Sequence, residues 1–195
     1  SSPSALDLAV LTADAPASAA ALFTTNLAQA APVVVSRRHL ERSEGIAQAV
    51  VVNSGCANAC TGAQGLEHAR RMADETASAV GCTPEQVLVA STGVIGVALK
   101  IDRVVTGIRA ATAAMTRGGG SDAARAIMTT DPFPKEHAVI VQTPRGPFAI
   151  GGMAKGSGMI EPNMATMLGF LTTDAQVPTA VLRRALQASA RDTFN

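Results

Sequence analysis

At 195 residues, 47% of them hydrophobic, the chain is long enough for one sizeable domain with a core and too apolar to be disordered by composition. A formal net charge of +1, no Trp, no Tyr and only five Phe argue against nucleic acid or an anionic membrane as the partner and against base stacking as the mode of binding. No run approaches the ~20 consecutive apolar residues that cross a bilayer, and the opening Ser-Ser-Pro-Ser has no positive region followed by an apolar core, so no signal peptide is visible.

Leu6 to Leu11 reads as a first strand, short and interrupted by Asp7. Val33 to Val35 is β-branched and is expected as a second strand. Ala49 to Val52 is a continuous apolar run of the kind a buried strand shows. Leu66, Ala69, Met72, Ala73, Thr76, Ala77 and Val80 then recur at helical spacing. Gln86 to Ala90 is the next strand. Ile101, Val104, Val105, Ile108, Ala111 and Met115 form a second helical stripe, with Gly118-Gly119-Gly120 as its expected stop. Ser121 is expected to cap a shorter helix running through Met128. His137 to Gln142 and Phe148 to Ile150 read as a hairpin around the turn Thr143-Pro144-Arg145-Gly146-Pro147. Thr166 to Leu171 is another largely apolar run. Val181, Leu182, Ala185 and Leu186 mark a third helix, with Pro178 near its start. Strands alternating with helices imply an α/β or mixed layered domain. The chain is expected to continue beyond Asn195, since the last helix is followed by no closing element.

Four stretches rich in Gly or small hydroxyl residues are the candidates for chemistry: Asn53 to Gly62, Ser91 to Gly96, Met128 to Asp131, and Gly151 to Thr166. Two directly follow strands, where ligands commonly bind in α/β sheets and glycine lets backbone approach a ligand. All four are read as loops. The fourth is no P-loop, because Lys155 precedes Gly156 where the motif needs Lys after its second Gly. The second lacks the dinucleotide fingerprint. His39, His68 and His137 stand apart with no metal-binding spacing, and Cys56, Cys60 and Cys82 lack the second pair of a structural zinc site, so no metal is expected. A Ser-His-Asp hydrolase would lack its nucleophile turn.

Lys155-Gly156-Ser157-Gly158-Met159-Ile160, followed by Pro162-Asn163-Met164-Ala165-Thr166-Met167-Leu168, resembles the cleavage region of the ornithine acetyltransferase family, the bifunctional glutamate/ornithine N-acetyltransferases of arginine biosynthesis. The other three stretches, and Leu171-Thr172-Thr173-Asp174-Ala175, resemble family motifs in the same order. The resemblance implies a four-layer αββα sandwich and self-cleavage between Ala165 and Thr166. Residues 1–165 would then be the α-chain region, and 166–195 the start of a β chain within the same globular domain. It further implies a cytoplasmic enzyme of two α and two β chains. The missing part of the β chain would contribute an acidic substrate-binding residue.

The residue types suit that chemistry. A Thr hydroxyl is a poor nucleophile without a base. Tethered beside the Ala165 carbonyl, it can attack by an N-to-O acyl shift. Hydrolysis of the resulting ester would expose an α-amine with a reference pKa near ~8, which can serve as base for its own hydroxyl. The resemblance makes Thr166 the nucleophile, Thr92 and Gly93 the oxyanion hole, and Thr129, Lys155 and Thr166 the substrate contacts; Asn58 is associated with the site's shape. Taken alone, the same residues read as a strand Thr, a helix cap with a tight turn, a capping hydroxyl and a solvated loop lysine. The implied reaction carries acetyl from N-acetylornithine to glutamate without a cofactor. Acetyl-CoA is implied as a donor only in bifunctional members, a distinction the residues do not make. Other readings are an amidohydrolase or aminopeptidase on a related self-cleaving fold, which releases the acyl group to water, and a non-catalytic metabolite-binding domain.

Overall fold

The apolar run at Ala49–Val52 lies in the central strand of a three-stranded sheet, and burial on both its faces organises the molecule. The computed structural model describes residues 6–157 and 167–193. In it β1 (Leu8–Ser18) pairs antiparallel with β2 (Ile46–Cys56), with a register shift between Thr12 and Ala17, and β2 pairs parallel with β3 (Val87–Val94). Val51 and Val52 are both fully buried and, as neighbours in a strand, point to opposite faces. Val51 packs in a core with Val35 of α1 (Ala31–Arg42), Met72 of α2 (Gly62–Val80) and Ile108 of α3 (Ile101–Ala113). Val52 packs in a second core with Ala124 and Ala126 of α4 (Gly120–Ala126), Ile127 and Met153. Full burial of side chains such as Met72, Ile108 and Ile127 stabilises by about 1.5–3 kcal/mol each.

A second sheet is an antiparallel meander of β4 (Lys135–Val141), β5 (Phe148–Lys155) and β6 (Leu168–Thr173). Its Met153, Leu168 and Phe170 pack with Ala9 and Val52, so the two sheets stack with α4 wedged beside them. The layer order is helices, sheet, sheet. On the far face of the second sheet Val139 and Leu171 are 44% and 57% exposed. The last helix, α5 (Thr179–Thr193), meets the chain at Thr179, whose hydroxyl donates to the Gly45 carbonyl at 3.3 Å. The mixed α/β class and the stacked sheets of the expected αββα sandwich are therefore present.

Several expectations need correction. Val33–Val35 is helical, not a strand. Pro32 stands at the helix start, where its missing N–H costs nothing. The buried residues Ala31, Pro32, Val35, Ser36 and His39 recur at helical spacing. Tertiary contact then decides, because α1 covers the open edge of β3. Ser36 Oγ donates to the Val89 carbonyl and accepts from the Val89 N–H, both at 2.7 Å, and His39 Nδ1 lies 2.8 Å from the Val87 carbonyl. These side chains do for β3 what a fourth strand would do. The triple glycine does not stop α3. That helix ends at Ala113, beyond which the chain is exposed and has no apolar face to bury, whereas Gly119 and Gly120 begin α4. Ser121 thus lies inside the first turn instead of capping it, and its hydroxyl donates to Glu136 Oε1 at 2.7 Å. β2, β3 and β5 all run further than their apolar runs suggest. Ser91–Val94 and Gly151–Lys155 are strand, not loop.

Candidate functional site

The parallel strands β2 and β3 remain paired to their C-terminal ends, through Ser54 with Thr92, Gly55 with Gly93 and Cys56 with Val94. Thr92 is two residues beyond Ala90, which belongs to the core facing the second sheet, so alternation points its side chain into the space between the sheets. Lys155 is likewise two residues beyond Met153 on β5 and faces the same space. The two meet: Lys155 Nζ donates to Thr92 Oγ1 at 2.9 Å, with Lys155 only 6% and Thr92 9% exposed. The solvated loop lysine is thereby excluded for Lys155, as is the helix cap for Thr92. A hydroxyl that accepts from an ammonium keeps its own proton for donation, and the ammonium retains further N–H groups for a ligand.

Gly93 has φ +129, and a Cβ there would lie 2.6 Å from both the Cys56 nitrogen and the Gly55 oxygen. Only glycine fits between the two strand ends. Asn58, fully buried at φ +47, secures the segment between β2 and α2. Its Nδ2 donates to the Gly65 carbonyl at 2.9 Å, and its Oδ1 accepts from the Thr61 hydroxyl at 2.7 Å. Asn58 therefore acts on the loop's shape.

Thr129 lies in the turn after α4 and is exposed. Its backbone N–H donates to Asp131 Oδ2 at 3.3 Å. Asp131 Oδ1 accepts from the Gly156 N–H at 2.8 Å and from Lys135 Nζ at 2.5 Å. Through this carboxylate, the Thr129 turn is tied to the end of β5 that carries Lys155. Burial pushes Asp131 up, but the Lys135 hydrogen bond, the Gly156 and Thr129 amides and the Lys135 charge outweigh it and hold the carboxyl down at about 2. For Lys155 burial dominates and lowers its pKa; the Asp131 charge opposes this, and the Lys135 charge adds to it.

Thr92, Gly93 and Lys155 are thus brought together, with Thr129 linked to them through Asp131. Ala165 and Thr166 lie outside the described residues. Asp131 closes the third candidate stretch but has no role assigned from sequence, and Lys135 lies outside all four stretches. The signal was an acid closing the third stretch with a lysine four residues on, but the intervening Pro132 and Pro134 rule out the helical pairing that such spacing usually means. Among the described residues, no cluster of His, Cys, Asp or Glu could hold a metal ion, and no helix is long and apolar enough to cross a membrane. An open cleft lined by Arg42, Ser43, Ile46, Thr83, Glu85 and Gln86 lies at the opposite ends of β2 and β3, away from these groups.

The model of the ArgJ family matches residues 2–195. The chain is 57% identical over 189 residues to the arginine biosynthesis bifunctional protein ArgJ of Symbiobacterium thermophilum, covering 97% of this chain and 46% of that protein. To the protein of the same name from Chlorobaculum tepidum it is 49% identical over 193 residues, covering 99% of this chain and 48% of that protein. The crystal structure of the arginine biosynthesis bifunctional protein from Bacillus halodurans superposes with a TM-score of 0.75 at 42% identity, covering 82% of this chain and 83% of that one. Ornithine acetyltransferase from Mycobacterium tuberculosis, crystallised in complex with ornithine, gives a TM-score of 0.73 at 38% identity, covering 86% and 85%. The chain spans about half the length of the curated relatives it matches.

Proposed function

The chain belongs to the ArgJ family, and from that premise we propose that the full-length protein is an N-acetyltransferase of arginine biosynthesis, moving acetyl from N-acetylornithine to glutamate through an acetyl ester on Thr166. The observation that carries this reading is the buried Lys155–Thr92 contact beside Gly93. A cation from β5 meets a polarised hydroxyl and a side-chain-free backbone from β3 where the sheet ends. The ornithine held by the Mycobacterium tuberculosis relative supports the substrate class.

The chemistry starts with scission. Thr166 Oγ attacks the Ala165 carbonyl, the C–N bond breaks, and the chain is joined through an ester that water then hydrolyses. Thr166 is left with a free α-amine.

In the mature enzyme the neutral α-amine takes the hydroxyl proton as Oγ attacks the acetyl carbonyl. The developing oxyanion lies against the Thr92 hydroxyl and the Gly93 N–H; one such donor is worth about 3 kcal/mol in the transition state. Ornithine leaves with the proton on its amine. The glutamate α-amine then attacks the ester and regenerates Thr166. Lys155, with N–H groups to spare beyond Thr92, pairs with the substrate carboxylate, and the Thr129 turn borders the same space. The transfer needs no cofactor, and acetyl-CoA serves as donor if the enzyme is bifunctional. Two α and two β chains in the cytoplasm complete the proposal.

The test is product analysis of full-length enzyme given N-acetylornithine with and without glutamate. N-acetylglutamate formed only when glutamate is present supports the transferase. Acetate as the sole acetyl product under both conditions defeats it in favour of a hydrolase.

A further inference from the structure

Asp131 is a carboxylate almost wholly removed from water, its side chain 1% exposed. Three donors from different segments converge on it: Lys135 Nζ at 2.5 Å, the Gly156 N–H at 2.8 Å and the Thr129 N–H at 3.3 Å. A buried carboxylate is costly unless its lone pairs are filled, and here they are filled by groups next to the candidate site. The Gly156 amide follows Lys155 directly in the chain. Fixing it fixes the last peptide of β5, and with it the direction in which Lys155 leaves the strand toward Thr92.

Resting on the acetyl-transfer reading, we propose that Asp131 is the positioning residue for Lys155. It anchors the backbone that presents Lys155 to Thr92 and holds a negative charge against the peptide that follows Lys155, while Lys135 cancels part of that charge. Asp131 and Lys135 are paired beside the Lys155–Gly156 peptide and act on Lys155 in opposite senses. The pair therefore works as a setting on the Lys155 charge. Asp131→Asn keeps an oxygen for the Gly156 N–H but removes the attraction and leaves the Lys135 repulsion, so Lys155 loses its proton at lower pH. Lys135→Met removes the repulsion and leaves Asp131 unneutralised, so Lys155 holds its proton to higher pH. A purely structural role for Asp131 predicts no such opposition, because both substitutions would simply loosen the turn.

The experiment titrates full-length protein carrying lysine labelled with carbon-13 at Cε, in the absence of substrate, with the Lys155 resonance assigned from its loss in Lys155→Arg. The expected midpoint is lower than wild type in Asp131→Asn and higher in Lys135→Met. The alkaline limb of kcat/KM for acetyl transfer should move in the same two directions, with Asp131→Asn at least about tenfold down at alkaline pH, the scale of a lost neighbouring charge. Unchanged midpoints, or both variants moving the same way, would overturn the proposal. If Asp131→Asn does not fold, Lys135→Met decides alone: a raised midpoint supports the proposal and an unmoved one overturns it. The lysine titration needs no turnover, so it remains decisive even if product analysis removes the transferase reading.

Discussion

Gly93→Ala is expected to damage the protein far more than Gly96→Ala, although both glycines have positive φ and lie three positions apart. At Gly93 the added methyl would lie 2.6 Å from the Cys56 nitrogen and the Gly55 oxygen, where ordinary contact begins at 3.4 Å. Both obstacles are backbone of β2, locked in the ladder by the pairing of Gly55 with Gly93, so neither can rotate away as a side chain would. The unfavourable φ costs about 1–3 kcal/mol, and forcing the strands apart costs about 1–3 kcal/mol more. At Gly96, φ is +78 and nothing lies within 4 Å of the new methyl, so only the left-handed penalty of about 1–2 kcal/mol remains. Thermal unfolding of the full-length variants should show a larger fall in Tm for Gly93→Ala than for Gly96→Ala, by about two- to threefold at the middle of these ranges. Acetyl transfer should be largely lost in Gly93→Ala, because the displaced N–H no longer meets the oxyanion. Equal Tm losses would refute the steric argument, and a Gly93→Ala enzyme with wild-type kcat/KM would remove this backbone from the site.

Two further outcomes follow from buried polar groups. The Asp131 carboxyl is held at about 2 against an ordinary 3.8. The unfolded chain therefore binds this proton more readily than the folded one. The carboxylate's contribution of about 2 kcal/mol is present in full above about pH 4 and fades as pH falls through about 2, so the gap in urea midpoint between wild type and Asp131→Asn should narrow on acidification through that window; a constant gap would contradict the assignment. Ser36→Ala strips the Val89 N–H and carbonyl of their shared partner. It should cost about 1–3 kcal/mol and speed hydrogen exchange at the Val89 amide, whereas unchanged exchange would mean that the edge of β3 is satisfied in some other way.

The sequence conveyed the strand cores and the long helices because apolar periodicity reports burial directly. Ala49–Val52 and the Leu66–Val80 stripe are examples. It under-read the strand ends, because pairing there continues through Ser, Thr, Gly and Cys, residues that also suit loops. Gly152 illustrates the ambiguity. It reads as a turn residue, yet it lies within β5, where a Cβ would press to 2.6 Å from the Leu171 side chain across the sheet. The helix at Ala31–Arg42 was hidden by a β-branched trio whose fate is set by the edge of β3, far away in sequence. Lys155 and Thr92 were each named, but only through family resemblance. Their contact spans 63 positions, and no local pattern encodes it. Asp131 closes a candidate stretch, but its role is not legible there because it comes from three partners that only the folded chain assembles.

The claim on which the mechanism depends is that Thr166 gains a free amine when the chain is cut in front of it. Intact-mass spectrometry of the full-length protein and of its Thr166→Ala variant tests this most directly, with each sample incubated with N-acetylornithine but no glutamate. The account predicts two chains for the parent, with one acetyl group on the chain that begins at Thr166, and a single unmodified chain for the variant. A parent protein that stays whole while transferring acetyl at full rate would contradict it.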